Sequence, residues 1–293
     1  MGISLYPATV TMPKVEKPYP SILGFLSQRF PKIGRDCWVE RIAQGKVLGE
    51  DGSPITADSE YSPQGRIFYF REVENEPVIP FREKILFHND EILVSCKPHF
   101  LPVTPGGPYV EECLLNRLRK STGNDDLVPL HRIDRETAGI VLFSANKKTR
   151  ALYNELFTYG GIEKTYHALS AGAVAPGKSE WLVENRMIRG EPWFRMKTEP
   201  GTVNARSRIT LLQVGEGMAR FLLNPVTGKT HQLRVHMGGL GFGILNDRYY
   251  PILQPERADD FANPLQLVAK AVKFQDPVTG KRMEFESERE LMW

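Results

Sequence analysis

The chain has 293 residues, 41% hydrophobic and 25% charged, enough to bury one or two cores, which excludes a disordered or fibrous class. A net charge of +3 gives no global footprint for nucleic acid, so any basic surface must be local. The three cysteines, Cys37, Cys96 and Cys113, are far apart without metal-ligand spacing, and they read as small buried hydrophobes in a reducing compartment. No apolar run is long enough to span a bilayer, and the first residues lack the charged and apolar regions of a signal peptide, so no membrane partner is expected and a cytoplasmic location is the default expectation.

Residues 1–20 carry Pro7, Pro13, Pro18 and Pro20 with no period and read as an extended arm. Ser21 is a candidate N-cap for a helix to Phe30, with Ile22, Phe25, Leu26 and Arg29 on one face. A second short helix is predicted over 36–43, with Val39 and Ile42 inward and Gly45 closing it. Lys46–Gly52 reads as a strand into an Asp-Gly turn, and Ile67–Phe70 as another strand. Arg29, Lys32, Arg35, Arg41 and Lys46 can line one basic face. The polar, proline-bearing stretch 74–80 is the expected boundary, giving an arm (1–20), a small domain (21–76) and a main domain (77–293).

In the main domain, 84–88 and 92–95 flank Asn89-Asp90 as a hairpin. A stiff loop with Pro102, Pro105 and Pro108 precedes a helix predicted over 110–120, with Leu114, Leu115 and Leu118 on one side. The stretch His131–Leu142 begins as a charge cluster and ends as an apolar run. Ile140–Phe143 reads as a buried strand, with Gly139 allowing close backbone approach before it. Asp134, between Arg132 and Arg135, therefore sits at the mouth of a core strand, although a charge run by itself is usually a solvated face. Beyond it, Ser144 or Asn146 can cap a helix with Leu152 and Leu156 inward and Gly160 at its end, and 163–169 alternates as a strand. Residues 184–208 interleave Arg186, Arg189, Arg195, Lys197, Arg206 and Arg208 with Trp193 and Phe194, a pattern suited to nucleic acid and shared by exposed hairpins. In the stretch 228–237, His231 and His236 have no third ligand spaced to join them, so no metal is expected. Gly228-Lys229-Thr230 mimics the end of a phosphate loop, but Leu223 stands where the first glycine of that loop belongs.

Four ordered segments resemble the RluA-type family of pseudouridine synthases: His131 to Gly139, Lys164-Thr165-Tyr166, Gly228 to His236, and Leu240 to Asp247. Lys97-Pro98 is similar to an earlier family word, and the resemblance spans roughly residues 82 to 285. Ile133, Ala138 and Leu233 are mild departures; Asn246 stands where the family has glycine and Val268 where a histidine is common. Residues 30–35 and 44–47 of the small domain resemble the S4 RNA-binding domain.

The resemblance implies an α+β fold, with a catalytic domain on a long mixed, mainly antiparallel sheet with flanking helices, plus a small N-terminal S4-like α/β domain. It implies an isomerase that cuts the N1–C1′ bond of a flipped-out uridine, turns the base and rejoins it through C5. Asp134 is implied as the nucleophile and Arg234 as its charge partner. Arg132 is implied to occupy the place the base vacates, Tyr166 to pack against the uracil ring with its hydroxyl assisting proton removal from C5, and Leu233 to support the base from the other side. His131, Arg135 and Thr137 remain as support. No metal or organic cofactor is expected, since the reaction neither oxidises nor hydrolyses. The implied partner is structured RNA, rRNA before tRNA, with the protein acting as a monomer. Two other classes stay open: an RNA-binding relative without catalysis, and a glycosidic hydrolase, which needs a second acid beside Asp134 that the uncertain Asp247 would have to supply.

Overall fold

The computed structural model describes residues 2–4, 6–171 and 177–292. It divides into two compact units, Met1–Pro77 with Gly106–Glu111, and Val78–Pro105 with Glu112–Trp293.

The first unit contains β1 (Gly2–Ile3), β2 (Ala8–Thr11), α1 (Ile22–Arg29), α2 (Arg35–Ala43), β3 (Val47–Leu48), β4 (Arg66–Tyr69) and β5 (Glu72–Val73). The segment expected as an arm is thus structured: β2 joins β4 and β3 in a three-stranded sheet, and β1 pairs with β5. Ser21 caps α1 as expected, its hydroxyl accepting the Gly24 N–H at 3.1 Å. On α2 the inward residue is Trp38, which is fully buried, whereas Val39 is exposed. Of the five cations expected on one basic face, Arg41 is buried and ion-paired to Glu72, and Lys46 is tied to the same carboxylate. Arg29, Lys32 and Arg35 stay exposed.

The second unit is built on one 11-stranded sheet. Its elements are β6 (Lys84–His88), β7 (Ile92–Lys97), α3 (Leu114–Thr122), β8 (Val128–Pro129), β9 (Ala138–Ser144), α4 (Arg150–Thr158), β10 (Ile162–Ala171), β11 (Glu180–Arg189), β12 (Met196–Glu199), β13 (Ala205–Gly215), β14 (Met218–Pro225), α5 (Gln232–Gly239), β15 (Leu267–Gln275) and β16 (Arg282–Glu286). The main path runs β12-β11-β13-β14-β10-β15-β9-β7-β6, with β16 paired to β15 and β8 to β9. All these pairs are antiparallel except β9 with β15, so the sheet is mixed and mainly antiparallel, in an α+β fold. Among the described residues, no helix is long and apolar enough to cross a membrane.

Two helices begin later than their patterns predict. The helix expected from Val110 starts at Leu114, where the Pro102 and Val103 carbonyls accept the Leu114 and Leu115 N–H groups. Neither Ser144 nor Asn146 caps α4; Thr149 stands at that position without a capping bond, its hydroxyl donating to Glu91 instead. Leu152 is exposed, and the neighbouring Tyr153 takes the inward place, fully buried with its hydroxyl donating to Asp276 at 2.7 Å. Cys96 and Cys113 are buried and Cys37 is half-buried.

Strand β9 explains the rest. All seven residues are buried, as expected of a strand covered on both faces. Burying each of Ile140, Val141, Leu142 and Phe143 contributes about 1.5–3 kcal/mol, so the strand is a rigid base for the loop before it. Gly139 lies in the parallel β9–β15 ladder opposite Ala269, at φ +113°. A Cβ there would come within 2.2 Å of the Ala269 carbonyl oxygen, which no side chain can relieve. Gly139→Ala is therefore expected to lower stability by roughly 3 kcal/mol or more, or to prevent folding, as read from the urea midpoint; a shift under about 0.5 kcal/mol would contradict this account of the ladder.

Candidate active site

The loop 131–137 leads into β9 and is tied down mainly through its backbone. The Thr137 N–H donates to the Asp134 carbonyl at 3.1 Å. Lys97, fully buried at the end of β7, donates to the carbonyls of Pro98, Leu101 and Arg135 at 3.0, 2.7 and 3.0 Å. Burial depresses the Lys97 pKa to about 7, against the pull of the Glu136 and Asp134 carboxylates. His99 Nδ1 donates to the Glu136 carbonyl at 2.6 Å. The Arg135 side chain forks onto Asp259 at 2.7 and 2.8 Å and reaches Glu136 at 3.0 Å. His131 supports the loop from behind: its ring stacks on Phe157 at 4.8 Å, and its Nε2 accepts the Leu142 N–H at 3.1 Å.

Arg234 meets this loop from α5. Its side chain is only 1% exposed. Nε and Nη2 make a two-pronged contact with Asp247 at 2.8 and 2.7 Å. Asp247, wholly buried at its side chain, also accepts the Tyr249 and Tyr250 N–H groups at 2.8 and 3.0 Å. The remaining nitrogen, Nη1, lies 3.2 Å from Asp134 Oδ2 and 3.9 Å from Glu136 Oε2. The Tyr249 and Tyr250 rings cover the guanidinium at 4.9 and 5.5 Å. Burial works against the Arg234 charge, but Asp247, Asp134 and Glu136 together hold its pKa above the usual value. Burial likewise pushes Glu136 up, and Arg135 and Arg234 more than reverse it.

Of the three carboxylates around Arg234, Asp134 is the most open, with a side chain 24% exposed against 16% for Glu136 and 0% for Asp247. Asp247 spends both oxygens on Arg234 and backbone amides. It is therefore no second acid facing a substrate, which removes the Asp134–Asp247 pairing a hydrolase would need.

Tyr166 lies on β10, opposite Leu223 of β14 and Ala269 of β15. It packs against the cluster containing Leu233, which is 7% exposed on α5. Burial raises the Tyr166 pKa, and the Asp134 charge raises it further, so the two side chains sense each other. Arg132 is exposed, with no hydrogen bond or ion pair among the described residues. The fold thus brings Asp134, Arg234, Tyr166 and Leu233 to one place and leaves Arg132 at the rim.

Sequence reasoning missed five groups here: Glu136, Lys97, His231, Asp247 as the anchor of Arg234, and Tyr250. All of these but Tyr250 lie in family-like words, a signal that they matter without saying how. The two histidines of the 228–237 stretch part company, His231 facing Asp134 and His236 facing Asn185. Asn246, where the family has glycine, adopts φ +64°, a conformation asparagine tolerates, and its amide donates to the Pro264 carbonyl at 3.0 Å.

Asp247→Asn leaves Arg234 buried beside a neutral group and is expected to cost about 3–5 kcal/mol in urea unfolding; a loss under about 1 kcal/mol would mean that the fork does not anchor the site. Burial also keeps three histidines neutral, depressing His131 to about 3 and His99 and His236 to about 4. The unfolded chain protonates these rings near about 6.5, so below that pH it binds more protons than the native state. Their contribution to stability is complete above pH about 6.5 and is lost as pH falls toward about 4 and below. The urea midpoint is expected to drop between pH 7 and 4.5, less steeply in His131→Gln; equal slopes would show that His131 is not part of this effect.

The same stretches carry the likeness to known proteins. A family model described as RNA pseudouridylate synthase matches residues 91–238. An uncharacterized RNA pseudouridine synthase of Synechocystis sp. is 28% identical, covering 78% of this chain and 79% of its own. The dual-specificity RNA pseudouridine synthase RluA of Yersinia pestis is 31% identical, covering 71% of this chain and 99% of its own. In fold, the human RNA pseudouridylate synthase domain containing 1 superposes with a TM-score of 0.59 at 21% identity, over 73% of this chain and 86% of that one. With half of its length matched by the family model and a 31% identical relative spanning more than two thirds of it, this chain belongs to the RNA pseudouridylate synthases of the RluA type, isomerases that convert uridine to pseudouridine in RNA.

Proposed function

We propose that this protein isomerises specific uridines in structured RNA, rRNA in the first place and tRNA as the alternative, through Asp134 acting as nucleophile on a flipped-out uridine. The observation that carries this reading is the 3.2 Å contact of Arg234 with the one carboxylate of its three that is substantially open. A nucleophile must be held still and must also be reached. Arg234 holds Oδ2, and the partial exposure of Asp134 leaves the carboxylate accessible. Tyr166 supplies a wall for the uracil ring; burial first and Asp134 second raise its pKa, which keeps the phenol protonated. Leu233 supports the base from the other side. Arg132, exposed and unpaired among the described residues, takes the stacking place the base leaves.

Residues 77–293 serve as the catalytic domain, acting as a monomer, and 21–76 as an S4-like unit touching RNA phosphates through Arg29, Lys32 and Arg35. Around β11 to β13, Arg189, Lys197 and Arg208 are exposed and Trp193 is 73% exposed, whereas Arg186 and Arg206 are paired to Glu199 and Glu184. The exposed set suits a single-stranded or looped RNA, with phosphates met by the cations and a base by the indole.

The test is to incubate wild type and Asp134→Asn with uridine-labelled rRNA and tRNA and to quantify nucleosides after digestion. Wild type is expected to form pseudouridine, and the variant to lose at least about a thousandfold in rate while still binding RNA. No pseudouridine from wild type on either RNA would sink the proposal, and release of free uracil would favour a hydrolase.

A further inference from the structure

His231 stands between Asp134 and Tyr250. It precedes α5 at φ +54°, a left-handed conformation that residues other than glycine rarely adopt. Its side chain makes no capping bond, so starting the helix does not account for that backbone. What the conformation does is aim the imidazole at the loop ahead of β9. Nε2 lies 3.8 Å from Asp134 Oδ1, and Nδ1 lies 3.0 Å from the Tyr250 hydroxyl. Non-glycine residues held at positive φ collect at functional sites.

The tautomer follows from counting protons. The Tyr250 oxygen already accepts the Met196 N–H at 2.6 Å, and Tyr250 is 5% exposed. If His231 Nδ1 also donated to that oxygen, the phenolic proton would be buried with no acceptor. The phenol therefore donates to Nδ1. Nδ1 is bare, and the proton of the neutral ring sits on Nε2, on the side of Asp134. Burial lowers the pKa of this histidine despite the nearby Asp134 charge, with Arg234 pushing the same way as burial.

We propose that His231 is a positioning residue: Tyr250 holds it in the Nε2–H tautomer, and that N–H steers Asp134 Oδ1 while Arg234 holds Oδ2. Once that contact tightens, the carboxylate is held at both oxygens and does not turn about its Cβ–Cγ bond. A separation of 3.8 Å is beyond a hydrogen bond, and such contacts shorten when substrate fills a site. The role rests on the reading of Asp134 as the reacting carboxylate.

Two substitutions divide the ring's functions. His231→Gln places an amide N–H near the position of Nε2, whereas His231→Asn places one near Nδ1 and does not reach Asp134. In single-turnover assays on an RNA that the wild type converts, His231→Gln is expected to stay within roughly threefold of wild type. His231→Asn and Tyr250→Phe are expected to fall roughly 10- to 100-fold in rate with RNA affinity unchanged, the scale of a small misplacement of a reacting group. The ¹⁵N spectrum of histidine-labelled full-length protein, with His231 assigned from the variants, is expected to show its proton on Nε2 in wild type and a mixture of the two neutral tautomers in Tyr250→Phe. A proton on Nδ1 in an active wild type, or activity rescued by Asn and not by Gln, overturns the steering role alone. Turnover of the same RNA by Asp134→Asn at the wild-type rate removes the Asp134 reading, and the steering role with it.

Discussion

A guanidinium with 1% of its side chain exposed loses nearly all its hydration, which costs several kcal/mol unless its neighbours replace the water. Around Arg234 they do. Asp247 takes two nitrogens in the fork geometry that only arginine offers, two backbone amides complete Asp247, and two tyrosine rings lie against the plane. The third nitrogen is left for Asp134. Because Asp247 already fixes the cation, Asp134 is held without being consumed, and it keeps enough exposure to meet a substrate. A lysine in place of Arg234 has no planar fork and could not serve both carboxylates in this way.

This arrangement works only if the loop carrying Asp134 cannot drift. Its carbonyls are held by Lys97 and His99, and its downstream end enters a strand buried on both faces. Gly139 lets that strand lie against β15, and β15 in turn pairs with β10, which carries Tyr166. The parallel β9–β15 pairing is thus what brings the loop that carries Asp134 and the strand that carries Tyr166 to one end of the sheet. It is also the pairing hardest to foresee, since it joins segments about 130 residues apart with no turn between them.

Where the pattern reading and the structure differ, burial of aromatic rings explains two cases. On α2 and α4 a large ring one residue away from the aliphatic choice takes the inward place: Trp38 rather than Val39, and Tyr153 rather than Leu152. A ring buries more area than a branched aliphatic side chain, so it sets the rotation of a short helix. Arg41 and Lys46 left the expected basic face because Glu72, on β5, lies beside them, and a local sequence pattern does not show a partner about 30 residues away. The N-terminal segment formed strands although its prolines hide any alternation, because the edge of β4 offered β2 a partner.

By itself the sequence determined the family and the short words that carry Asp134 and Arg234. Short words such as His131–Gly139 and Gly228–His236 are local and survive being read without neighbours. It also determined Gly139, because a backbone position too crowded for a Cβ must be glycine in any context. The tertiary structure alone decided the division of labour among the charges: that Asp247 anchors Arg234 and faces no substrate, that Lys97 supports the loop from below, and that His231 turns toward Asp134 while His236 turns away. Those outcomes depend on distances of 2.7 to 3.8 Å between residues as much as 100 positions apart, and electrostatic and hydrogen-bond energies fall off too steeply with distance for residue order to reveal them.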